Sequence, residues 1–244
     1  FQNAEEFYRA ENGHAIGYFW GYKTPGIFQN QKEINDWIAA GNGIYQADVK
    51  PGDVKYVDIN HDGVINASDK VDLGNGLPKY TFGFNFSLAW KGFDLSANFT
   101  GAAGFQIAQS YRDPSSSQAN YSRRILKRWT GEGTSNEIPR VTYGDVGNWL
   151  FSDLYLQDGD YIRLQNLTMG YDFKKLISWK GLSKMRLYFQ VQNLFTLTKY
   201  DGMDPEIGSF NGTDGNSSDA WVSGVDMGYY PHPRTFIVGL NLAF

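Results

Sequence analysis

The 244-residue sequence contains no cysteine. This absence excludes a disulfide framework, a thiolate metal site and a cysteine nucleophile, and it leaves the redox compartment undefined. Long apolar runs are missing as well: no stretch approaches the roughly 18 consecutive apolar residues of a membrane-spanning helix, which excludes a helical membrane protein. A membrane β-barrel stays open, because its strands are only half apolar.

The sequence also lacks an excess of basic residues, with 22 Lys and Arg against 26 Asp and Glu and a net charge of −4. Binding to nucleic acid depends on basic clusters that displace counterions, so we expect no nucleic-acid partner. Aromatic side chains are abundant, at 16% of residues, although the mean hydropathy is only −0.45. The low mean hydropathy and the high aromatic content together need a structural explanation.

Strict alternation of apolar and polar residues predicts an antiparallel hairpin. Residues 80–90 alternate without a break, Lys91 and Gly92 form a two-residue turn, and residues 93–100 alternate again. In such a hairpin Trp90 faces Phe93, so the apolar residues of both strands share one face. Further strands are predicted at 161–173, with a bulge near Asn166, at 184–198 and at 234–244.

The connections alternate in length. The turn at 91–92 and the connection at 174–183 are short, whereas 106–160 and 200–233 are long and rich in Gly, Ser, Asn and Asp. Such long loops are uncommon in compact soluble domains. We predict short helices at 31–40 and 120–129.

Short turns at one end, long loops at the other, and strands with one apolar face are typical of outer-membrane barrels. We therefore predict an all-β fold: antiparallel strands of a transmembrane β-barrel with long extracellular loops that contain short helices. A soluble β-sandwich also has alternating strands. It would need a facing sheet of equal length, which is difficult to build from the five or six strands that the pattern provides.

The strongest local motif, at residues 58–69, fits the calcium loop of EF-hands. Gly63 stands at position six, where the loop turns sharply, and Asp69 replaces the usual bidentate Glu, which indicates weak calcium binding or another hard cation such as magnesium. The predicted metal ligands are Asp58, Asn60, Asp62, the Val64 carbonyl, Asn66 and Asp69. A bound ion would fix the loop rather than catalyse. The alternative is an Asx-rich turn that binds nothing.

Residues that would support catalysis are sparse. The only histidines are His14, His61 and His232, and none lies in a zinc pattern or beside a nucleophile motif. Asp158 and Asp160 could be drawn as a glycosidase pair, but the separation of their carboxyl groups decides that, and we interpret them as polar loop residues. We predict that the chain is not an enzyme.

The long loops contain aromatic residues that could stack on sugar rings or pack against a partner protein. The candidates for substrate contact are Trp149, Tyr155, Trp221, Tyr229 and Tyr230. Equally, these residues could anchor their own loops or lie in the interfacial girdle of a barrel.

A series of short motifs resembles the SusC/RagA family of TonB-dependent outer-membrane transporters. The motifs are GHAIGYFWGY at 13–22, GIF at 26–28, KPGDVKYVD at 50–58, the calcium-like loop, YIRLQNLT at 161–168, QNLFT at 192–196, YDGMDPE at 200–206 and YPHPRTF at 230–236. Each motif is weak alone, and their order and spacing make the resemblance specific.

The resemblance implies a large protein of the outer membrane of a Gram-negative bacterium, with a plug inside a barrel of about 22 strands. Residues 1–244 would be the C-terminal part of that barrel, without the plug and the earlier strands. The chain starts at Phe1 without a signal-peptide pattern, and we expect the natural chain to start earlier.

The implied partners are a SusD-like lipoprotein, the rest of the barrel and plug, the TonB complex, the lipid bilayer, and an oligosaccharide or peptide substrate. The terminal Phe244 fits the aromatic end that barrel assembly reads. The alternative function is a soluble or surface-bound β-module that binds carbohydrate or calcium. Extraction separates the two, because the soluble module would be folded and monomeric without detergent.

Overall fold

The computed structural model of the chain describes residues 8–110, 120–142, 147–177, 179–207 and 223–244. The strands in these ranges are β1 (Tyr8–Arg9), β2 (Tyr18–Gly21), β3 (Gly26–Ile27), β4 (Val54–Lys55), β5 (Val71–Asn75), β6 (Tyr80–Trp90), β7 (Phe93–Ala103), β8 (Gln106–Gln109), β9 (Leu156–Asp158), β10 (Tyr161–Asp172), β11 (Lys184–Thr198), β12 (Val225–Asp226) and β13 (Thr235–Ala243). The α-helix in these ranges is α1 (Gln31–Ala39), and short 3-10 helices span Ala67–Asp69, Arg123–Lys127, Gly147–Trp149, Asp153–Tyr155 and Phe173–Lys175.

None of the helices in the described part of the chain has the length and apolar character needed to cross a membrane. The chain divides into two compact units. The first consists of Phe1–Leu77, Gln106–Gln157 and Ile207–Gly228, and the second of Pro78–Phe105, Asp158–Glu206 and Tyr229–Phe244.

The second unit is built on a five-stranded antiparallel sheet in the order β13-β11-β10-β7-β6. Lys91 and Gly92 have positive φ angles of 49° and 93°, the conformation of a type I′ turn, which matches the twist of the two strands that it joins. Trp90 therefore pairs with Phe93 across the hairpin, as predicted. Strands β6 and β13 are the edges of this sheet, which is not closed.

The register of this sheet places apolar and polar side chains in separate rows. One row of neighbouring residues crosses all five strands and is entirely apolar: Leu88, Leu95, Met169, Phe189 and Val238. A second row, on the opposite face, is entirely polar: Asn85, Asn98, Asn166, Gln192 and Thr235. Because side chains alternate between faces along each strand, the sheet has one apolar and one polar surface.

The apolar surface is exposed to an unusual degree. The exposed fraction of the side chains is 49% for Leu88, 36% for Phe189 and 72% for Val238. Soluble proteins rarely leave an apolar surface of this extent in contact with water. The sheet thus has the surface that a lipid-facing wall requires.

The long strands confirm the predictions from periodicity. Strands β6 and β11 have the predicted bounds, β10 ends one residue earlier than predicted, and β13 is one residue shorter than predicted at each end. The register of β10 against both neighbours shifts between Leu164 and Asn166, which confirms the predicted bulge. The bulge explains why the alternation of apolar and polar residues along β10 changes phase in the sequence.

Helix α1 also confirms its prediction, within one residue. Asn30 caps it by accepting the backbone amide of Glu33 at 2.9 Å, and Glu33 in turn accepts the amide of Gln29 at 2.6 Å. The first bond satisfies an amide that the helix leaves unpaired at its start, and the second holds the residue before the cap.

The prediction of a second helix, at 120–129, is wrong about the type of helix. Only a 3-10 helix, Arg123–Lys127, forms there, and the side chain of Ser122 does not cap it. The reason lies in charge and capping: Arg123 and Arg124 place positive charge at the start of the helix, where the dipole is unfavourable, and Lys127 and Arg128 repel them at helical spacing.

The first unit has two small apolar cores rather than one large sheet. One contains Phe19, Ala108, Phe151 and Val225. The other contains Tyr22, Val54, Tyr56 and Ile65. The second core supports the calcium-like loop, because Ile65 belongs to both.

Candidate functional site

The calcium-like loop starts at a buried carboxylate. Asp58 is 2% exposed, and its Oδ2 accepts the backbone amide of Gly63 at 2.8 Å. Its other oxygen, Oδ1, is buried and has no hydrogen-bond partner among the described residues. Burial opposes ionisation of Asp58, but amide hydrogen bonds, that of Gly63 first, hold the pKa of its carboxyl below the usual value. The start of the loop is therefore a carboxylate with one unused oxygen.

The exposed middle of the loop is shaped by Asx turns. Asn60 Oδ1 accepts the amide of Asp62 at 3.0 Å, and Asp62 Oδ1 accepts the amide of Val64 at 2.9 Å. Gly63 has a φ of 81°, the left-handed conformation that glycine adopts without strain. The loop therefore has the sharp bend that a calcium loop places at its sixth position.

The end of the loop is closed by Asp69, which is fully buried. Its Oδ1 accepts the amide of Ile59 at 3.0 Å, and its Oδ2 accepts the amide of Asn66 at 2.8 Å. Asn66 in turn caps the 3-10 helix Ala67–Asp69 by accepting the amide of Ser68 at 2.8 Å. Asp69 thus joins the two ends of the loop, and Asn66 caps the short helix at its end.

The residues present fit a cation at the start of the loop better than at its end. Within the described ranges, no three His, Asp or Glu side chains converge in a way that could hold a metal. A cation here would therefore depend on amide and carbonyl oxygens in addition to carboxylates, as hard cations accept. The assignment of the six predicted ligands stays a prediction.

Two of the predicted substrate residues, Trp149 and Tyr155, come together in the first unit. Both line a cavity of about 160 Å³. The hydroxyl of Tyr155 donates to the carbonyl of Asn148 at 2.9 Å, and burial raises the pKa of Tyr155. The cavity is smaller than the roughly 300 Å³ of typical ligand pockets, so it has room for part of a substrate only.

The other predicted substrate residues are placed differently. Tyr229 and Tyr230 lie in the second unit, where they are 37% and 89% exposed. Trp221 lies outside the described residues. The role of all these aromatic residues in substrate contact stays a prediction.

The side chains of Asp158 and Asp160 accept backbone amides of nearby residues. Asp158 accepts the amide of Asp160 at 3.0 Å, and Asp160 accepts the amide of Gly104 at 2.6 Å. These contacts agree with the interpretation of both residues as loop residues.

A charged cluster in the second unit escaped prediction from the sequence. Arg163 is 2% exposed; it forms an ion pair with Asp204, donates to Glu206 at 2.8 Å and donates to Thr196 at 2.9 Å. Asp204 also accepts the backbone amide of His232 at 3.0 Å. Four of the motifs quoted for the family resemblance meet here, and the opposite charges of Arg163 and Asp204 were the signal that could have revealed the cluster.

No family model matches the chain. Individual proteins do match it over nearly its whole length. The TonB-dependent receptor P3 of Formosa agariphila is 34% identical over 234 residues, which are 95% of this chain and 22% of that receptor. The chain is similar in sequence to a segment of TonB-dependent receptors. Receptor P26 of the same organism is 31% identical over 236 residues, 95% of this chain and 23% of P26.

The sequence similarity to receptors extends to SusC. The TonB-dependent receptor SusC of Bacteroides thetaiotaomicron is 29% identical over 205 residues, 82% of this chain and 18% of SusC. The family resemblance read from the motifs is thereby confirmed. The chain spans about a fifth of the length of these curated receptors.

Solved structures show the same barrel fold. A chain of the RagAB peptide importer in the open-open state superposes with a TM-score of 0.66 and 19% identity over 100% of this chain and 24% of that chain. The RagAB peptide transporter gives 0.63 and 21% over 97% of this chain and 24% of that chain. The predicted all-β barrel fold is confirmed. The similar proteins are named as receptors and importers, which is consistent with the prediction that the chain is not an enzyme.

Proposed function

We propose that the chain is the C-terminal part of the barrel of a TonB-dependent transporter in the outer membrane of a Gram-negative bacterium. The whole transporter imports oligosaccharides or peptides together with a SusD-like surface lipoprotein. The rest of the barrel, the plug and the contact with TonB belong to other parts of the longer protein.

The observation that carries this proposal is the two-faced sheet of the second unit. The apolar row from Leu88 to Val238 supplies a lipid-facing surface, and the polar row from Asn85 to Thr235 supplies the wall of a wet lumen. The open edges at β6 and β13 provide backbone groups for pairing with further strands.

The exposed apolar face argues against the soluble β-module. In water, side chains such as Val238, at 72% exposure, would lose the stabilisation that burial of apolar surface provides, at about 25 cal/mol for each Å². Lipid removes that cost. Membrane insertion is therefore the environment that suits this sheet.

The proposed partners follow from the named relatives. SusC and RagAB are similar to this chain in sequence or in fold, and the RagAB structures are those of a peptide importer. Both oligosaccharides and peptides stay within the proposal, since the exposed Tyr229 and Tyr230 could contact either class.

Localisation is the first test. The full-length protein should fractionate with the outer membrane, require detergent for extraction, and migrate differently on gels before and after boiling, as folded barrels do. Recovery of a folded monomer from aqueous buffer without detergent would overturn the proposal.

Substrate and partner are the second test. A tagged full-length protein should co-purify with a surface lipoprotein from the source bacterium. A deletion strain should lose growth on one class of oligosaccharide or peptide, and this growth should also require TonB. Growth that depends on the protein but not on TonB would contradict the proposed energy coupling.

A further inference from the structure

The most unusual buried atom in the first unit is Asp58 Oδ1. Asp58 is 2% exposed, yet this oxygen has no hydrogen-bond partner among the described residues. An ionised carboxylate is costly to bury unless each oxygen is paired with a donor or a cation. A buried oxygen without a partner, in an otherwise well hydrogen-bonded loop, indicates that a ligand binds to that oxygen.

The residues that follow Asp58 present further oxygens on the same loop. The second oxygen of Asp58 already accepts the amide of Gly63, five residues later, which turns the carboxylate into the loop. That loop also contains other oxygens: the side chains of Asn60 and Asp62 and the carbonyl of Val64. Several oxygens on one loop, together with an unpaired carboxylate oxygen, suit a hard cation.

The hydrogen bonds within the loop leave each of these oxygens a lone pair for a cation. The Asn60 side-chain amide donates to Asp62 Oδ2 at 2.9 Å, and that of Asn66 donates to the Val64 carbonyl at 3.4 Å. Asn60 Oδ1 and Asp62 Oδ1 each accept a single backbone amide in the described structure. Amide and carboxylate oxygens carry two lone pairs, so each retains one for a cation. The amide hydrogen bonds hold the side chains along the loop without consuming its capacity.

We propose that the loop binds one Ca²⁺ through Asp58 Oδ1, the side-chain oxygens of Asn60 and Asp62, and the carbonyl of Val64, with water in the other positions. This ligand set is smaller than the sequence pattern predicts. Asp69 is left out, because both of its oxygens are used to close the loop by accepting the amides of Ile59 and Asn66. Asn66 is left out, because its side-chain oxygen is directed at the 3-10 helix that it caps.

The small ligand set determines which ion binds and how tightly. Mg²⁺ demands a near-ideal octahedron, whereas Ca²⁺ accepts irregular sets of oxygens and waters, so the loop favours Ca²⁺. Without a bidentate ligand at the last position, affinity falls to the range of extracellular calcium modules, about 0.1–1 mM. Such a site would be filled where calcium is abundant outside the cell.

The cation would stabilise one side of an apolar core. Val64 forms a parallel bridge with Ile44, and the next residue, Ile65, is 4% exposed in the core with Tyr22 and Tyr56. Fixing the carbonyl of Val64 therefore fixes the chain that positions Ile65. Loss of calcium should loosen residues 58–66 and leave the sheet of the second unit unchanged.

The test uses the full-length protein in detergent, stripped of divalent ions and titrated with CaCl₂ and separately with MgCl₂ by calorimetry. The wild type should bind one more equivalent of Ca²⁺ than Asp58→Asn. Asp62→Asn, at an exposed position, should weaken this binding at least tenfold. Asp36→Asn is the matched control, since Asp36 is an exposed carboxylate on α1 that pairs with Lys32, and it should bind like the wild type.

Folding is monitored by heat-modifiable gel mobility, and hydrogen exchange follows residues 58–66. If Asp58→Asn fails to fold, Asp62→Asn decides the result. The proposal is overturned if all variants bind Ca²⁺ equally, if the wild type binds none up to 10-fold above the expected range, about 10 mM, or if Mg²⁺ binds more tightly than Ca²⁺.

Discussion

Arg140 and Asp53 form a bidentate ion pair across 87 residues of sequence, with Nε to Oδ1 at 2.6 Å and Nη2 to Oδ2 at 3.1 Å. Asp53 is 2% exposed and also accepts the side-chain amide of Asn148 at 2.8 Å. Asn148 in turn accepts the amide of Val54 at 2.8 Å. The pair and Asn148 therefore tie the long connection at 106–160 to strand β4.

Arg140→Met should destabilise this region by about 2–3 kcal/mol, because it leaves the buried Asp53 without its cation while keeping the apolar stem of the side chain. The estimate is below that for a fully buried pair, since the Arg140 side chain is 27% exposed. Hydrogen exchange of residues 50–56 in the full-length protein measures the loss. The control Lys32→Ala removes an exposed pair and should cost less than about 1 kcal/mol; equal effects would contradict the role given to Asp53.

Gly52→Ala should destabilise the same region more than Gly41→Ala. Both glycines have positive φ, 93° and 83°, so both substitutions strain the backbone by about 1 kcal/mol. A Cβ at Gly52 would lie 2.5 Å from a ring carbon of Trp129, whereas a Cβ at Gly41 meets nothing within 4 Å. Thermal unfolding of the two variants separates steric cost from backbone strain, and similar melting temperatures would refute the close packing at Gly52.

The loop at residues 200–207 should open in acid. Burial opposes ionisation of Asp204, but hydrogen bonds from His232 and Glu206, together with Arg163, hold its pKa below the usual value. A carboxyl whose pKa is lower in the folded state stabilises the fold above its unfolded value of about 4, and this stabilisation is lost as the pH falls through the lower folded value.

Pepsin should therefore cut this loop of the full-length protein more quickly at pH 2 than at pH 4, beyond the change in its own activity on a control substrate. Asp204→Asn should remove most of this difference. An unchanged pH dependence in Asp204→Asn would show that another group controls the opening.

An arginine should be tolerated on only one face of β11. Phe189→Arg places a charge in the apolar row and should cost about 2–4 kcal/mol near the middle of the bilayer, with less towards its surfaces. Gln190→Arg, the next residue, projects from the polar face and should fold normally. The folded fraction in isolated outer membranes checks both; equal yields would contradict the assignment of the faces.

Local patterns were sufficient to predict the long strands and the calcium-like loop. Residues 80–90 alternate because the two faces of β6 meet different surroundings, and residues 58–69 keep their oxygen-rich pattern within one segment. The short strands of the first unit leave no such signal. In β2, both Tyr18 and Phe19 are buried, at 1% and 0% exposure, so no alternation appears in the sequence.

Long-range partners were beyond prediction for a related reason. Asp53 and Arg140 are ordinary charged residues until the fold brings them together, and the same holds for Arg163 and Asp204, which are 41 residues apart. Sequence motifs can identify such residues, but they do not show which residues form pairs. The orphaned oxygen of Asp58 is likewise a property of the folded loop and not of its residue pattern.

The most direct test of the lipid-facing barrel wall is a pair of single-cysteine variants of the full-length protein, with any cysteines outside this chain replaced. The chain has no cysteine of its own, so Phe86→Cys and Ser87→Cys can each carry one fluorophore on opposite faces of β6. In reconstituted membranes, spin-labelled lipids should quench the fluorophore at position 86, and a water-soluble quencher should act mainly at position 87. Equal access of the water-soluble quencher to both positions, without lipid quenching at 86, would contradict the account.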